Sequence, residues 1–207
     1  MSRKIHALLL FICLLPVISF AAEFKEGTDY KVISVSNNSL QAEKGKVSVV
    51  EFFSPGCPAC FKFEPTLDAW LKHKPSYVIF SRVPLAFEAG WDVYQKAYFV
   101  ADALGKTSTI LPALFNAIHV TNEPLASEAD LTTFFAKQGI KPVIFHQLYN
   151  SPSIALETYH ATDLMKTYKV YSIPTVIVNG KYAVSPDMAG SATRMIQILD
   201  YLIKKAH

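Results

Sequence analysis

The sequence predicts an α/β fold, a central mixed sheet flanked by helices and interrupted by an inserted helical domain. Three observations carry that expectation. Val47-Ser48-Val49-Val50-Glu51-Phe52-Phe53 and Tyr77-Val78-Ile79-Phe80-Ser81-Arg82-Val83 are largely apolar on both alternating sets, the pattern of strands covered on two faces. After the second of these comes a long stretch of helical spacing with no convincing strand. Beyond that stretch, Pro174-Thr175-Val176-Ile177-Val178 turns through Asn179-Gly180 into Lys181-Tyr182-Ala183-Val184, the strongest hairpin signal in the chain.

The 207-residue chain opens with Arg3 and Lys4, an apolar run from Ala7 to Leu15, and Ser19-Phe20-Ala21. A positive start, a short apolar core and a small-x-small end predict a signal peptide over residues 1–21, cleaved after Ala21. The run is short for a membrane span, which needs about 20 residues; an uncleaved anchor is the alternative. Cys13 leaves with the leader, and so do Arg3 and Lys4, which takes the net charge from +3 to +1. A near-neutral chain of mixed charge gives no electrostatic case for nucleic acid or for an anionic membrane surface.

In order, the mature chain offers a short strand over Tyr30–Val35, then the strand Val47–Phe53. From Cys57 the period switches, and Cys60, Phe63, Leu67, Trp70 and Leu71 share one helical face. Tyr77–Val83 is expected as a second buried strand, closed by Pro84. Helical spacing follows over Trp91–Leu104, Ser108–His119, Ser127–Gln138, Lys141–Tyr149 and Ser153–Tyr168. The breaks fall at Gly105, Asn122-Glu123-Pro124, Gly139 and Asn150-Ser151-Pro152. Trp91, Tyr94, Tyr98 and Phe99 are expected to pack the core of this insertion rather than to form a substrate-facing patch. A last amphipathic helix, Ser191–Lys205, turns Met195, Ile198, Leu199 and Leu202 inward. The sheet domain is thus read over 22–87 and 170–207, with the helical insertion over 88–169.

The cysteines carry the chemistry. Only Cys57 and Cys60 survive processing, and a bridge between residues three apart closes too short a loop to stabilise the chain much. A reactive pair explains them better. Cys57 follows the turn Ser54-Pro55-Gly56 and stands at a helix mouth, where free N–H groups and the helix dipole favour a thiolate; attack also requires an exposed sulfur. Cys60, one turn inside on the apolar face, is expected to be shielded and to act as the resolving thiol. Pro58 suits the first helical turn, where its missing N–H costs nothing. Zinc is the competing use, but it wants four ligands, and His73, His119, His146 and His160 show no paired spacing. Glu51 interrupts an apolar strand. It is either an exposed edge acid or a buried one whose raised pKa lets it move protons near Cys60.

These residues resemble the DsbA family of thioredoxin-fold exported oxidoreductases. The matching features are Glu51 within Val50-Glu51-Phe52-Phe53-Ser54, the motif Cys57-Pro58-Ala59-Cys60, Ser172-Ile173-Pro174-Thr175, and Val178-Asn179-Gly180-Lys181-Tyr182. The resemblance covers essentially the whole mature chain. It implies a thioredoxin fold and a periplasmic, monomeric enzyme that donates the Cys57–Cys60 disulfide to unfolded exported proteins bearing cysteine thiols. A mixed disulfide at Cys57 would be the intermediate, and a DsbB-type, quinone-linked membrane oxidase the partner that restores it. No dissociable cofactor is implied beyond the redox-active disulfide. Pro174 is implied to be cis and to wall the cysteine pair, with Ile173 lining the substrate groove. Two departures stand out. Ala59 occupies the place where the family usually has histidine, so the expected thiol pKa and oxidising power lie between those of DsbA and thioredoxin. The strand after Glu51 lacks the lysine that usually partners that acid. Competing functions are a reductase or isomerase kept reduced by another membrane protein, and a peptide-binding chaperone with incidental cysteines.

Overall fold

The computed structural model describes residues 24–36 and 38–207, so the predicted signal peptide lies outside the described residues. Its elements are β1 (Lys31–Val32), β2 (Val47–Phe53), α1 (Pro58–Leu71), β3 (Val78–Pro84), α2 (Asp92–Ala103), α3 (Thr107–His119), α4 (Glu128–Lys137), α5 (Pro142–Tyr149), α6 (Pro152–Thr167), β4 (Thr175–Val178), β5 (Tyr182–Val184), α7 (Pro186–Ala189) and α8 (Ala192–Ala206). Five strands form one sheet in the order β1-β5-β4-β2-β3. β2 and β3 run parallel and are joined through α1, whereas β4, β5 and β1 pair antiparallel along the other side. This is the mixed sheet flanked by helices that the sequence predicts.

β2 is central and, but for half-buried Ser48, buried along its length, as its doubly apolar pattern requires. Val49 faces the cluster built with α1 and α8, while Val50 and Phe52 face the helices of the insertion. β3 departs from expectation. It is the outer strand of the sheet rather than a buried one, and Ile79 is half exposed. The apolar alternation of Tyr77–Val83 could not reveal this, because only one neighbour was available to pair with it. β1 is also shorter than the predicted Tyr30–Val35, since only Lys31 and Val32 find partners on β5. The short helix α7 was not anticipated, although Ser185-Pro186 opens it and Gly190, at φ 74°, closes it in the left-handed region.

The hairpin turn behaves as its sequence demands. Asn179 and Gly180 both have positive φ, and the Lys181 N–H donates to the Val178 carbonyl at 3.0 Å. Asn38 caps this turn through Nδ2 to the Asn179 carbonyl at 3.1 Å, and a Cβ at position 180 would overlap the Asn38 side chain.

Two apolar clusters hold the molecule. One lies between the sheet, α1 and α8 and includes Phe63, Leu67, Met195, Ile198, Leu199 and Leu202, the residues whose spacing predicts it. Burying each such side chain contributes about 1.5–3 kcal/mol before entropy is counted. The other runs without a break from Phe52, Phe53, Cys57 and Cys60 into the buried residues of α2 to α6. The insertion therefore shares its core with the cysteine pair.

Candidate active site

β2 ends at Phe53, and Ser54-Pro55-Gly56-Cys57 turns the chain into α1. The Cys57 N–H donates to the Ser54 carbonyl at 3.1 Å, and the Gly56 N–H to Ser54 Oγ at 3.3 Å. Proline and glycine at the two central positions suit such a turn. Gly56 also meets a steric demand. A Cβ there would stand 2.9 Å from ring atoms of both Trp91 and Tyr94, which close over the turn from the start of α2. Tyr98 packs edge-on against Phe53 at 5.2 Å. The aromatics expected to pack the insertion thus also bind it to the redox turn.

Cys57 is the N-cap of α1, in extended backbone geometry (φ −81°, ψ 115°), and Pro58 is the first helical residue. The Cys60 N–H donates to Cys57 Sγ at 3.1 Å. Hydrogen bonding from the Cys60 thiol, opposed by burial and aided by the N–H groups of Cys60 and Ala59, holds the Cys57 thiol below the ordinary range. Ala59 has no side-chain donor, so position 59 reaches the sulfur through its backbone N–H alone. Burial drives the Cys60 thiol far up, and the neighbouring Cys57 adds to that. The pair is therefore chemically unequal, as the helix-mouth argument predicts. One expectation fails: Cys57 is only 4% exposed. Ile173 explains part of the cover, because its carbonyl oxygen lies 3.7 Å from Cys57 Sγ.

The Ile173–Pro174 bond is cis, as the resemblance implies, and Pro174 is buried while Ile173 remains partly open. On the other side of the motif, exposed Ala59 borders a cavity of about 200 Å³ lined by Lys62, Phe63, Pro186, Gly190, Ser191, Ala192 and Met195. Glu51, Cys57, Pro58, Ala59, Cys60, Ile173 and Pro174 thus gather around one turn and the strand that leads to it.

Below the turn, Glu51 is fully buried, and its partner is an arginine rather than a lysine. The parallel register sets Glu51 directly beside Arg82 on β3, and Arg82 Nε donates to Glu51 Oε2 at 2.7 Å. The same guanidinium reaches Glu64 Oε1 through its Nη2 at 2.7 Å. Glu64 stands on α1, one turn beyond Cys60. Among the described residues, Glu51 Oε1 and Glu64 Oε2 are buried without a hydrogen-bond partner. Two buried carboxylates share one guanidinium, so charge neutrality asks for one proton. Burial outweighs Arg82 at both acids, raising Glu51 and lifting Glu64 to about 7. A cleft of about 740 Å³, bordered by Glu64, Asp68, Arg82 and Asp102, opens this cluster toward solvent.

Arg82 and Glu64 escaped the sequence reading. The signal for Glu64 was its place four residues after Cys60; the signal for Arg82 was its register with Glu51, which required knowing that the two strands are parallel neighbours. Among the described residues, no three His, Cys, Asp or Glu side chains form a metal-holding group.

Comparison with known proteins assigns the chain to a defined class, the protein thiol:disulfide oxidoreductases of thioredoxin fold. The family model described as a DSBA-like thioredoxin domain matches residues 48–202. The thiol:disulfide interchange protein DsbA of Burkholderia cepacia is 38% identical over 179 residues, covering 86% of this chain and 84% of its own. That of Pseudomonas aeruginosa is 32% identical over 199 residues, covering 96% and 93%. The crystal structure of P. aeruginosa DsbA superposes with a TM-score of 0.81 at 33% identity, over 88% of this chain and 94% of that one. The chain belongs to the DsbA family.

Proposed function

We propose that the chain is an exported disulfide donor, with Cys57 as nucleophile and Cys60 as resolving thiol. In its oxidised form, the thiolate of an unfolded exported protein attacks Cys57 Sγ. The Cys57–Cys60 bond breaks, and Cys60 leaves as a thiolate that takes up a proton. A second substrate thiolate then attacks the substrate sulfur of the mixed disulfide, and Cys57 leaves as a thiolate. Two electrons pass from the substrate dithiol to the enzyme, and the substrate gains its disulfide.

The observation that carries this reading is the inequality of the two sulfurs. A stabilised Cys57 thiolate is a good leaving group and a poor holder of mixed disulfides, and stabilising the dithiol form makes the disulfide form an oxidant. The proton required by Cys60 would come from the Glu51–Arg82–Glu64 cluster, which lies beneath it and reaches solvent through the cleft. Ile173 and Pro174 would offer the backbone edge against which an extended substrate segment lies, next to Cys57. Turnover would then need a DsbB-type quinone-linked membrane oxidase and no dissociable cofactor. A signal peptide over residues 1–21 and a periplasmic, monomeric product complete the proposal.

Trapping tests it. With the remaining cysteine first activated as its mixed disulfide with thionitrobenzoate, Cys60→Ala should exchange that group for the thiolate of reduced, unfolded exported proteins and accumulate mixed disulfides at Cys57, visible by non-reducing electrophoresis, and Cys57→Ala should accumulate none. Equal trapping by both variants would refute the assignment of the nucleophile. A Cys57–Cys60 pair that stays reduced in the cell would overturn the donor role.

A further inference from the structure

The redox motif lacks a histidine, yet a histidine reaches the redox turn from elsewhere. His119 is the last residue of α3, in the insertion, and its Nε2 lies 2.8 Å from the Pro55 carbonyl oxygen. A carbonyl oxygen only accepts, so Nε2 carries the proton and donates. The ring is held face to face on Phe61 (centroids 4.9 Å apart, planes 12° apart) and lies 6.0 Å from Phe115. Phe61 directly follows Cys60, and Phe115 packs on Phe53 at the end of β2.

Pro55 is buried, and a buried carbonyl without a donor is costly. Among the described residues no backbone N–H donates to it: the Cys57 N–H goes to Ser54, the Cys60 N–H goes to Cys57 Sγ, and Pro58 has none. His119 is its partner. The turn is thereby fixed at successive points, with Gly56 N–H on Ser54 Oγ, Cys57 N–H on Ser54 O, and Pro55 O on His119. That geometry places Cys57 Sγ where the N–H groups of α1 can reach it. The hydrogen bond also draws charge from a carbonyl dipole two residues from the sulfur.

We infer that His119 is a positioning residue of the redox site, by which the insertion sets the turn and so the stability of the Cys57 thiolate. It takes from outside the motif part of the role left open by Ala59. This inference rests on the assignment of Cys57 as the nucleophile.

Two variants separate the donor from the stacking ring. His119→Phe keeps an aromatic ring on Phe61 and loses the N–H; His119→Gln keeps an N–H donor and loses the ring. Thiolate absorbance of the dithiol form gives the Cys57 pKa, and equilibration with glutathione gives the redox constant. His119→Phe should raise the thiol pKa and make the protein a weaker oxidant by about threefold or more, the equivalent of half a pKa unit. His119→Gln should restore most of that difference, whatever its melting temperature. Both variants matching the parent in pKa and redox constant would overturn the inference, and so would a change that follows thermal stability rather than the donor. Trapping by Cys60→Ala in the unaltered background serves as control: its absence would indict the nucleophile assignment, whereas its presence beside unresponsive His119 variants would indict only His119.

Discussion

The redox turn and the charged cluster beneath it face the same problem, a charge held away from water, and meet it in opposite ways. At Cys57 the charge is met by backbone: N–H groups at the mouth of α1, fixed by a turn whose peptide groups are tied down. At Glu51 and Glu64 it is met by one side chain, Arg82, which leaves two carboxylate oxygens without partners. The first arrangement favours the deprotonated form and lowers a thiol pKa. The second is short of positive charge and favours a bound proton. Placed along one helix, they give α1 two unlike charge environments, Cys57 at the helix mouth and Glu64 two turns in. Backbone dipoles fix the first of these environments, and a single removable cation fixes the second.

That contrast breaks most easily at Arg82. Arg82→Met leaves two buried acids with no counterion, and losing one partner of a buried pair costs about 3–5 kcal/mol. Urea unfolding near pH 8 should show a loss of that size, and a smaller one near pH 5, where the acids can take up protons instead. Identical losses at both pH values would mean that the three groups are not coupled through charge.

Glu64→Gln is a finer probe. The folded protein lifts the Glu64 pKa from 4.5 to about 7, so it binds this proton more tightly than the unfolded chain does. The resulting stabilisation is complete below the unfolded pKa and is lost as pH rises through about 7. The parent should therefore lose stability relative to Glu64→Gln between about pH 5 and pH 8, by on the order of 2 kcal/mol. Parallel stability curves would show that Glu64 is not the proton holder.

The smallest effect is expected at the helix mouth. Ala59 is exposed, and Ala59→His should change stability by less than about 0.5 kcal/mol. It should nonetheless lower the Cys57 thiol pKa further, by roughly half a unit, because a nearby cation favours the thiolate. An unchanged or higher pKa, read from thiolate absorbance, would mean that the backbone donors already saturate the sulfur.

The same contrast explains what was legible in the sequence. The redox turn is local: strand, Pro-Gly turn, cysteine pair and helix follow one another in the chain, and each leaves a pattern in neighbouring residues. The hairpin at Asn179-Gly180 and the inward face of α8 are local in the same sense. The charged cluster is not. Arg82 stood unremarked inside a strand expected to be buried, and nothing near Glu64 in the chain but its spacing from Cys60 marks it; only sheet order, register and the packing of α1 bring them to Glu51. The rank of β3 as outer strand was hidden for the same reason, since no residue within it records what lies on its far side. His119 appeared only as a histidine without metal partners, and the carbonyl it serves lies 64 residues away.

Those separations have a consequence for how the site comes into being. Cys57 meets the Ile173 carbonyl across 116 residues of chain. A growing polypeptide therefore presents both thiols well before it owns the segment that will cover them. His119 arrives next, and Ile173 last, in a fold dominated by pairings that close late. For that interval the cysteines are as open to attack as those of any unfolded client. The partner oxidase proposed for this chain would therefore first meet it as an unfolded substrate.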